Sequence, residues 1–475
     1  MKGIASGPGG ALRARRWDVI VLGGALPGLV AAARLGMQGA RVLVVEEEAA
    51  ARGASALREP FLLAGHAAGG VLDACLKALT IPLIDRKKIE PEAVALQVVM
   101  PDRRVDVGEP QTTLDELVTW GIAKPEEAHE LVRALLEAAA AERAAMLEAP
   151  VVKAGGLRAL ARGGGAPRGA RHGRGLPVEV ARADGALALL LEAQVRALSQ
   201  LGASAPPPEA RARLLGSPLE GGAFYASADG FLRSLLRRRI QAVFGEFRTI
   251  PGRFELVTSD HQPGLAIAGS NDVWLGRALV LNAPRSSLAA ALADGAGAPD
   301  FLTGPAPTRR RIALVFRVRG AVLPEGMARR VVRVLDPALP IEGTNCICLS
   351  ILPAPKGSEI RELVASAIVP TGSPHERAAA EACIESAVRE LMPFSEGHLV
   401  REAVPEVRWD EEAPEDPAIG EGWPLDVEIR VASRPLVYAL PREAVAALGF
   451  EGDVLLGWRA GDAIRADFGA GSERL

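Results

Sequence analysis

The residues with the clearest chemical meaning are a glycine turn and a single acid that follows it. The turn spans residues 23–28 after an apolar run, and Glu46 ends the next apolar run. In a strand–turn–helix–strand unit, such a turn brings backbone N–H groups and a positive helix N-terminus to a pyrophosphate. A carboxylate at the end of the second strand accepts both hydroxyls of an adenosine ribose. Residues 17–46 therefore predict a dinucleotide-binding unit.

One position of this turn departs from the usual pattern. The spacing Gly-x-Gly-x-x-Gly falls on Gly23, Ala25 and Gly28, so alanine occupies the place of the middle glycine. That glycine normally lets the backbone approach the phosphates. Two interpretations stay open: a small shift of the turn absorbs the methyl group, or the pocket has lost its ligand.

Further strand and helix patterns surround this unit. Residues 19–22 and 278–284 are typical of buried parallel strands, and residues 94–107 predict a hairpin with its turn at residues 101–102. Ser373 and Pro374 predict a helix start. Other strands are expected near 246–250, 254–258, 264–268, 312–319, 329–335 and 345–352, and a last strand at 453–456.

Composition excludes several classes of function. The 475 residues exceed one ordinary core, so two packed domains are expected. A net charge of −3 and only 4% aromatic residues argue against a nucleic-acid partner. The sequence shows neither a secretory signal nor a membrane span. The cysteines have no metal-ligand spacing, so a cytoplasmic protein with reduced thiols and no metal site is predicted; they are Cys75, Cys346, Cys348 and Cys383.

Three segments differ from the rest in composition. Residues 1–16 predict a flexible tail. Residues 151–175 carry six cations and no acid among many glycines, which indicates either a solvated flexible loop or a surface for an anionic membrane or an acidic protein partner. Residues 402–428 are acidic and form a second candidate partner surface. A peripheral-membrane location is the alternative to a purely cytoplasmic one.

Three stretches resemble the flavoprotein superfamily that includes phytoene desaturases, amine oxidases and protoporphyrinogen oxidases. They are residues 19–46, residues 222–236 with their aromatic, small-residue and helix-start sequence, and the strand with its Asn-Ala-Pro end at 277–285. The resemblance implies an α/β fold. A Rossmann-like dinucleotide-binding domain, formed by 17–80, 221–290 and 441–475, is interrupted by a mixed-sheet plus helical substrate domain, formed by 81–220 and 291–440.

The resemblance also implies a cofactor and a reaction. FAD would lie extended across the first domain, and the protein would be an FAD-dependent oxidoreductase acting on an apolar small-molecule substrate. No side chain is assigned to catalysis, because the flavin supplies the chemistry; His66 is a candidate only by its position. The implied cofactor-binding residues are Gly23, Gly24, Ala25, Gly28, Glu46, Arg52 and Gly457.

Several departures from the superfamily pattern support an alternative function. Ala50 and Ala51 precede Arg52 where glycines are usual, and Trp458 follows Gly457 where an aspartate is usual. The chain is expected to lack the long C-terminal helix, with Trp458 filling the space, so FAD binding should be weak or lost. The alternative is a flavin-free relative that binds a protein or acts as a scaffold, as Rab GDP-dissociation inhibitors do.

Limited proteolysis tests the prediction for residues 151–175. Trypsin should cleave first within this segment, because a segment with six cations and many glycines is hard to bury. Mass spectrometry of the earliest fragments identifies the cleavage sites. Initial cleavage elsewhere, with these arginines protected, would contradict the prediction.

Overall fold

The computed structural model describes most of the chain. The described residues are 2–3, 13–49, 55–148, 152–154, 175–226, 231–250, 253–267, 271–293, 297–303, 308–354, 357–404 and 427–472. The expected cofactor residue Arg52, most of the basic segment 151–175 and most of the acidic segment 402–428 lie outside them.

The described chain combines strands and α-helices. The strands are β1 (Lys2–Gly3), β2 (Arg13–Leu22), β3 (Val42–Glu47), β4 (Ile89–Glu92), β5 (Val94–Val99), β6 (Arg104–Gly108), β7 (Val152–Lys153), β8 (Gly222–Tyr225), β9 (Glu246–Ile250), β10 (Phe254–Ser259), β11 (Gln262–Ile267), β12 (Asp272–Leu281), β13 (Arg309–Arg319), β14 (Arg330–Val334), β15 (Cys346–Ile351), β16 (Ile360–Pro370), β17 (Leu399–Arg401), β18 (Val427–Glu428), β19 (Arg430–Ser433) and β20 (Leu436–Ala439). The helices are α1 (Leu26–Met37), α2 (Val71–Ala78), α3 (Leu83–Arg86), α4 (Pro110–Thr119), α5 (Pro125–Glu148), α6 (Val178–Ala181), α7 (Gly185–Leu198), α8 (Pro208–Gly216), α9 (Leu232–Ala242), α10 (Arg285–Ala290), α11 (Pro374–Leu391) and α12 (Gly449–Ser472).

The first sheet contains the predicted dinucleotide-binding unit. Its strand order is β1-β10-β11-β12-β2-β3-β9, and β20 also pairs with β12. β2 and β3 run parallel, with Val19 opposite Val42, and their apolar residues are buried on both faces. Helices α1, α9 and α12 cover one face of this sheet. The strand–turn–helix–strand order predicted for residues 17–46 is therefore confirmed.

The second sheet has the order β17-β13-β16-β15-β14-β5-β6. Helix α11 covers one face, and α4, α5, α7 and α8 pack on the other face at the β14–β5–β6 side. The predicted hairpin is formed by β5 and β6. Ser373 caps α11 with a complete capping box, as its sequence predicts.

Two boundaries differ from the sequence expectation. β2 begins at Arg13 and pairs with β12, so the last four residues of the expected tail 1–16 belong to the sheet. β19 and β20 add to the first sheet, although 291–440 was assigned to the substrate domain. The reason is that Val437 and Tyr438 of β20 are fully buried beside β12.

The expectation for the C-terminus is wrong. Residues 453–456 belong to the 24-residue helix α12, and not to a strand, so the long C-terminal helix is present. Gly457 lies inside this helix, where a Cβ atom would come within 2.3 Å of the Pro27 carbonyl oxygen on α1. Gly461, one turn later, allows the same close approach to Arg34. The glycines that resemble helix breakers in the sequence are thus required for helix packing.

Trp458 also has a different role from the one expected. It lies half-buried on α12 with the Arg459 guanidinium 4.6 Å from its ring, and it does not fill a flavin site. Within the described part of the chain, no helix combines the length and apolar character needed to cross a membrane.

The helix contact predicts the effect of Gly457→Ala. Alanine favours helices over glycine by about 1 kcal/mol. The new methyl group nevertheless overlaps Pro27 and Val30, so we expect a net loss of about 1–3 kcal/mol in the free energy of unfolding. Chemical denaturation measures this loss. Ala466→Val, at an exposed position on the same helix, is the control and should lose only the helix propensity of alanine over valine, at most about 0.7 kcal/mol.

Candidate functional site

The site begins at the glycine turn between β2 and α1. Gly23 has a φ of +105°, which favours glycine, and a Cβ atom there would lie 2.5 Å from the Asn282 carbonyl oxygen. A Cβ atom on Gly24 would meet the Glu46 carboxylate at 2.1 Å. Ala25, in contrast, has an ordinary extended conformation directly before α1. The alanine therefore fits the turn without backbone strain.

Asn282, directly after β12, ties the turn to the neighbouring strand. Its side-chain amide donates to the carbonyl oxygens of Gly23 and Ala25, at 2.8 and 3.0 Å, and accepts from the Gly28 N–H at 2.9 Å. A Cβ atom on Gly28 would overlap this amide. Asn282 is buried, so these three bonds satisfy all the polar groups involved without water.

Glu46 lies at the tip of β3, as predicted, but it faces arginines of its own chain. Arg237 of α9 donates to one carboxylate oxygen, and a terminal nitrogen of Arg233 lies 3.5 Å from the other. The Glu46 side chain is 3% exposed and that of Arg233 is 8% exposed. The Arg237 guanidinium also stacks 4.0 Å above the Phe247 ring. These residues, named here the Glu46 cluster (Glu46, Arg233 and Arg237), neutralise a buried carboxylate from within the protein.

A second acid occupies the N-terminus of α9. The Glu59 carboxylate accepts the backbone N–H groups of Leu232 and Arg233, at 3.2 and 3.3 Å. Burial raises the pKa of Glu59 to about 7, although these two hydrogen bonds act in the opposite direction. Glu59 therefore takes the helix-end position where an external anion would otherwise bind.

The first turn of α12 carries two more buried acids, each held by an arginine. Glu451 forms two hydrogen bonds with Arg213, at 2.6 and 2.8 Å. Asp453 accepts from Arg442 at 2.6 and 3.0 Å and from Gln200 at 2.8 Å. Burial alone would lower the pKa of Arg213, but the carboxylates of Glu451 and Glu220 outweigh it and raise the pKa. The N-terminus of α12 is thus closed by paired charges.

A cavity of about 180 Å³ lies where these elements meet the second sheet. Ala25 and the first residue of α1, Leu26, line one side, and Gly449 and Phe450 of α12 line another. Its remaining described walls include Glu59, Phe61, Leu198, Gln200, Arg233, Arg311, Ala313, Ser350, Leu352, Val364, Ser366, Arg442, Glu451 and Asp453.

The structure brings together most, but not all, of the residues expected to bind a cofactor. Gly23, Gly24, Ala25 and Gly28 form the turn, and Glu46 lies against it. Gly457 is a packing residue on α12, and its expected role at the cofactor stays a prediction.

Other candidate residues have structural roles. His66 is half-buried, its Nδ1 lies 3.1 Å from the Leu63 carbonyl oxygen, and burial lowers its pKa. Cys346 and Cys348 are free, buried thiols, two residues apart on β15.

The sequence analysis missed the arginines that fill this site. The run at 237–239 is typical of a solvated helix face, yet each of its arginines makes a tertiary contact. Arg238 donates to the Tyr225 hydroxyl and Arg239 to the Leu79 carbonyl oxygen, while Arg237 pairs with Glu46. The sequence feature that could have indicated these contacts is a run of three arginines on a short helix that also carries buried leucines.

Comparison with solved structures identifies the fold. No protein-family model and no curated protein sequence matches the chain. Wild-type putrescine oxidase bound to putrescine aligns with a TM-score of 0.51 at 13% identity, over 95% of this chain and 100% of that one. An oxidoreductase from Methanosarcina mazei gives 0.52 at 12% identity, over 93% and 98%. A Pyrococcus furiosus protein gives 0.52 at 13% identity, over 95% and 98%.

The chain has the fold of the amine oxidases. This agrees with the α/β class and with the superfamily resemblance of the sequence. At such low identity, the likeness establishes architecture and leaves activity to be argued from the site itself.

FAD, the cofactor implied by this fold, does not fit the residues as they are arranged. Both oxygens of Glu46 face arginines, and Arg233 lies against Gly24 of the turn. The cavity of about 180 Å³ is smaller than the roughly 300–1,000 Å³ pockets that hold drug-sized ligands, and FAD is a larger molecule. The long helix α12 resembles the superfamily arrangement, but its first turn is occupied by ion pairs.

Asn282→Leu tests how the turn is held. The substitution leaves the Gly28 N–H and two carbonyl groups without their buried partner, so we expect a loss of about 2–4 kcal/mol in the free energy of unfolding. Chemical denaturation measures it. Asn345→Leu removes a partly buried asparagine whose hydrogen bonds to residues 336–340 are accessible to solvent, and its loss should be smaller.

Glu59 predicts a pH dependence of stability. Its pKa in the folded state, about 7, lies above the ordinary value of 4.5. Its contribution to stability is therefore complete below about pH 4.5 and is lost as the pH rises through about 7. Glu59→Gln should flatten the fall in unfolding free energy over this range. Equal slopes of unfolding free energy against pH for the variant and the wild type would contradict the prediction. Burial also raises the pKa of Glu142 to about 7, but this contribution is the same in both proteins.

Proposed function

We propose that this chain uses the amine oxidase fold without flavin, as a binding protein. The observation that carries the proposal is the Glu46 cluster, because the carboxylate expected to hold the adenosine ribose is already paired with Arg237 and Arg233. A ribose hydroxyl would have to replace a charge-assisted hydrogen bond in a buried site, which costs more than it returns.

The charges around the cavity support the same conclusion. Two helix N-termini beside the cavity are already occupied by acids of this chain. Glu59 occupies the N-terminus of α9, and Glu451 and Asp453 lie in the first turn of α12. Arginine partners hold Glu451 and Asp453, and backbone N–H groups hold Glu59, so neither helix end is open to a pyrophosphate in this arrangement.

An FAD-dependent oxidoreductase acting on an apolar small molecule is the second candidate. Two observations favour it: the fold is shared with putrescine oxidase, and α12 is as long as the superfamily requires. It needs a state in which the Glu46 cluster opens and the cavity enlarges. The two candidates therefore differ in whether the purified protein carries flavin.

Glu46→Gln distinguishes these functions by two measurements on each protein. Under the proposed function, wild type and variant are both colourless, and FAD raises the melting temperature of neither. The variant loses roughly 3 kcal/mol of unfolding free energy, because two arginines lose their buried counter-charge. Glu90→Gln, at an exposed position, is the matched control and should be close to wild type.

The flavin enzyme predicts the opposite pattern. Wild type would release stoichiometric FAD on denaturation, and Glu46→Gln would lower that content. A yellow wild-type protein with tightly bound FAD would contradict the proposed function.

The partner of a binding protein is a separate proposal. The basic segment 151–175 supports an acidic protein or an anionic membrane as the partner, on its charge alone. Salt-sensitive binding to anionic vesicles would favour the membrane, because screening removes the attraction.

A further inference from the structure

The floor of the cavity is a polar patch on the second sheet. Ala313 of β13 lies opposite Ser366 of β16, and Val364 of β16 lies opposite Ser350 of β15. Side chains alternate between the two faces of a strand, so Arg311 shares the cavity face with Ala313. The other face, with Ile312 and Leu314, packs under α11.

Arg311 differs from two other arginines that line this cavity. Arg233 and Arg442 each contact a carboxylate. Arg311 is half-buried at the cavity wall, and among the described residues no carboxylate comes within 4.0 Å of it. Its one hydrogen-bond partner there is the Ser366 hydroxyl, at 3.3 Å from Nη1.

The nearby acids cannot supply the missing counter-charge. Asp453 attracts Arg311 at a distance, but Arg442 and Gln200 already bind both of its oxygens. Glu451 is held by Arg213, and Glu59 accepts the N-terminal N–H groups of α9. Removing a guanidinium from water without a counter-charge costs free energy, and a bound anion would offset that cost.

We propose that the cavity binds a small carboxylic acid with an apolar body, whose carboxylate pairs with Arg311. The planar guanidinium offers two parallel N–H donors that suit a carboxylate. The Ser366 hydroxyl accepts from Nη1 and so orients the guanidinium. This inference rests on the proposed function, since it requires a cavity free of flavin.

The size and walls of the cavity define the rest of the ligand. A cavity of about 150 Å³ holds a benzene molecule, so about 180 Å³ matches a ring or a short branched chain with one carboxylate. The apolar walls that would contact this body are Leu26, Phe61, Leu198, Leu352 and Phe450.

Thermal shift and calorimetry with benzoate test the proposal. Benzoate should raise the melting temperature of the full-length wild-type protein in a saturable way. Benzamide and benzylamine, which keep the ring and replace the carboxylate by a neutral or a cationic group, should not. An equal response to either of them would overturn the proposal, because the carboxylate would not be the recognised group.

Arg311→Met is the decisive variant, because methionine keeps much of the length and removes the charge. We expect benzoate affinity to fall by at least about tenfold, while the ligand-free variant melts at or above the wild-type temperature. A purely structural arginine would instead give a variant that melts lower. Unchanged benzoate affinity in Arg311→Met would overturn the proposal.

Two further variants serve as controls for Arg311→Met. Arg310→Met removes the same charge from the opposite face of β13 and should retain benzoate binding. Ser366→Ala should weaken binding less than Arg311→Met does.

Flavin content, measured on the same preparations, separates the two proposals. Flavin-free protein that ignores benzoate overturns only this inference, whereas flavin-loaded protein overturns the proposed function as well.

Discussion

The arrangement of the first domain depends on one buried charge, the carboxylate of Glu46. A carboxylate removed from water must find positive partners, and here they come from α9, about 190 residues later in the chain. The pairing positions α9 against the glycine turn and places Arg233 beside Gly24. An acid that would serve a nucleotide in another protein of this fold therefore serves the protein's own interior.

The same principle extends around the cavity. Each buried acid at a helix end meets arginines or backbone N–H groups of the chain itself, as Glu451 meets Arg213 and Glu59 meets α9. Such closed pairs fix the geometry of the elements that carry them, but they leave few donors for a dinucleotide. Arg311 stands apart because the described residues within contact distance supply a hydroxyl and no carboxylate. The contrast between the paired acids and Arg311, more than the fold, determines which ligands the cavity can bind.

Helix packing explains why a familiar architecture arises from degenerate motifs. α1 and α12 approach closely because Gly457 and Gly461 have no side chains at the contact. Asn282 fills the space beside Gly28 and holds the turn to β12. The glycines of the turn are thus retained for packing as well as for any ligand, so a glycine pattern alone does not establish a bound cofactor.

Local patterns in the sequence determined the unit at residues 17–46, the position of Glu46 and the start of α11, because periodicity, glycines and caps act over a few residues. The α/β architecture was implied by the superfamily resemblance. The local patterns misassigned residues 453–456, where a helix rich in glycine and apolar residues resembles a strand followed by a turn. Only the tertiary structure decided that Glu46 pairs with Arg237, and that among the described residues no carboxylate lies within 4.0 Å of Arg311. The physical reason is that the energy of a charge depends on the groups that surround it, and those groups come from distant parts of the chain.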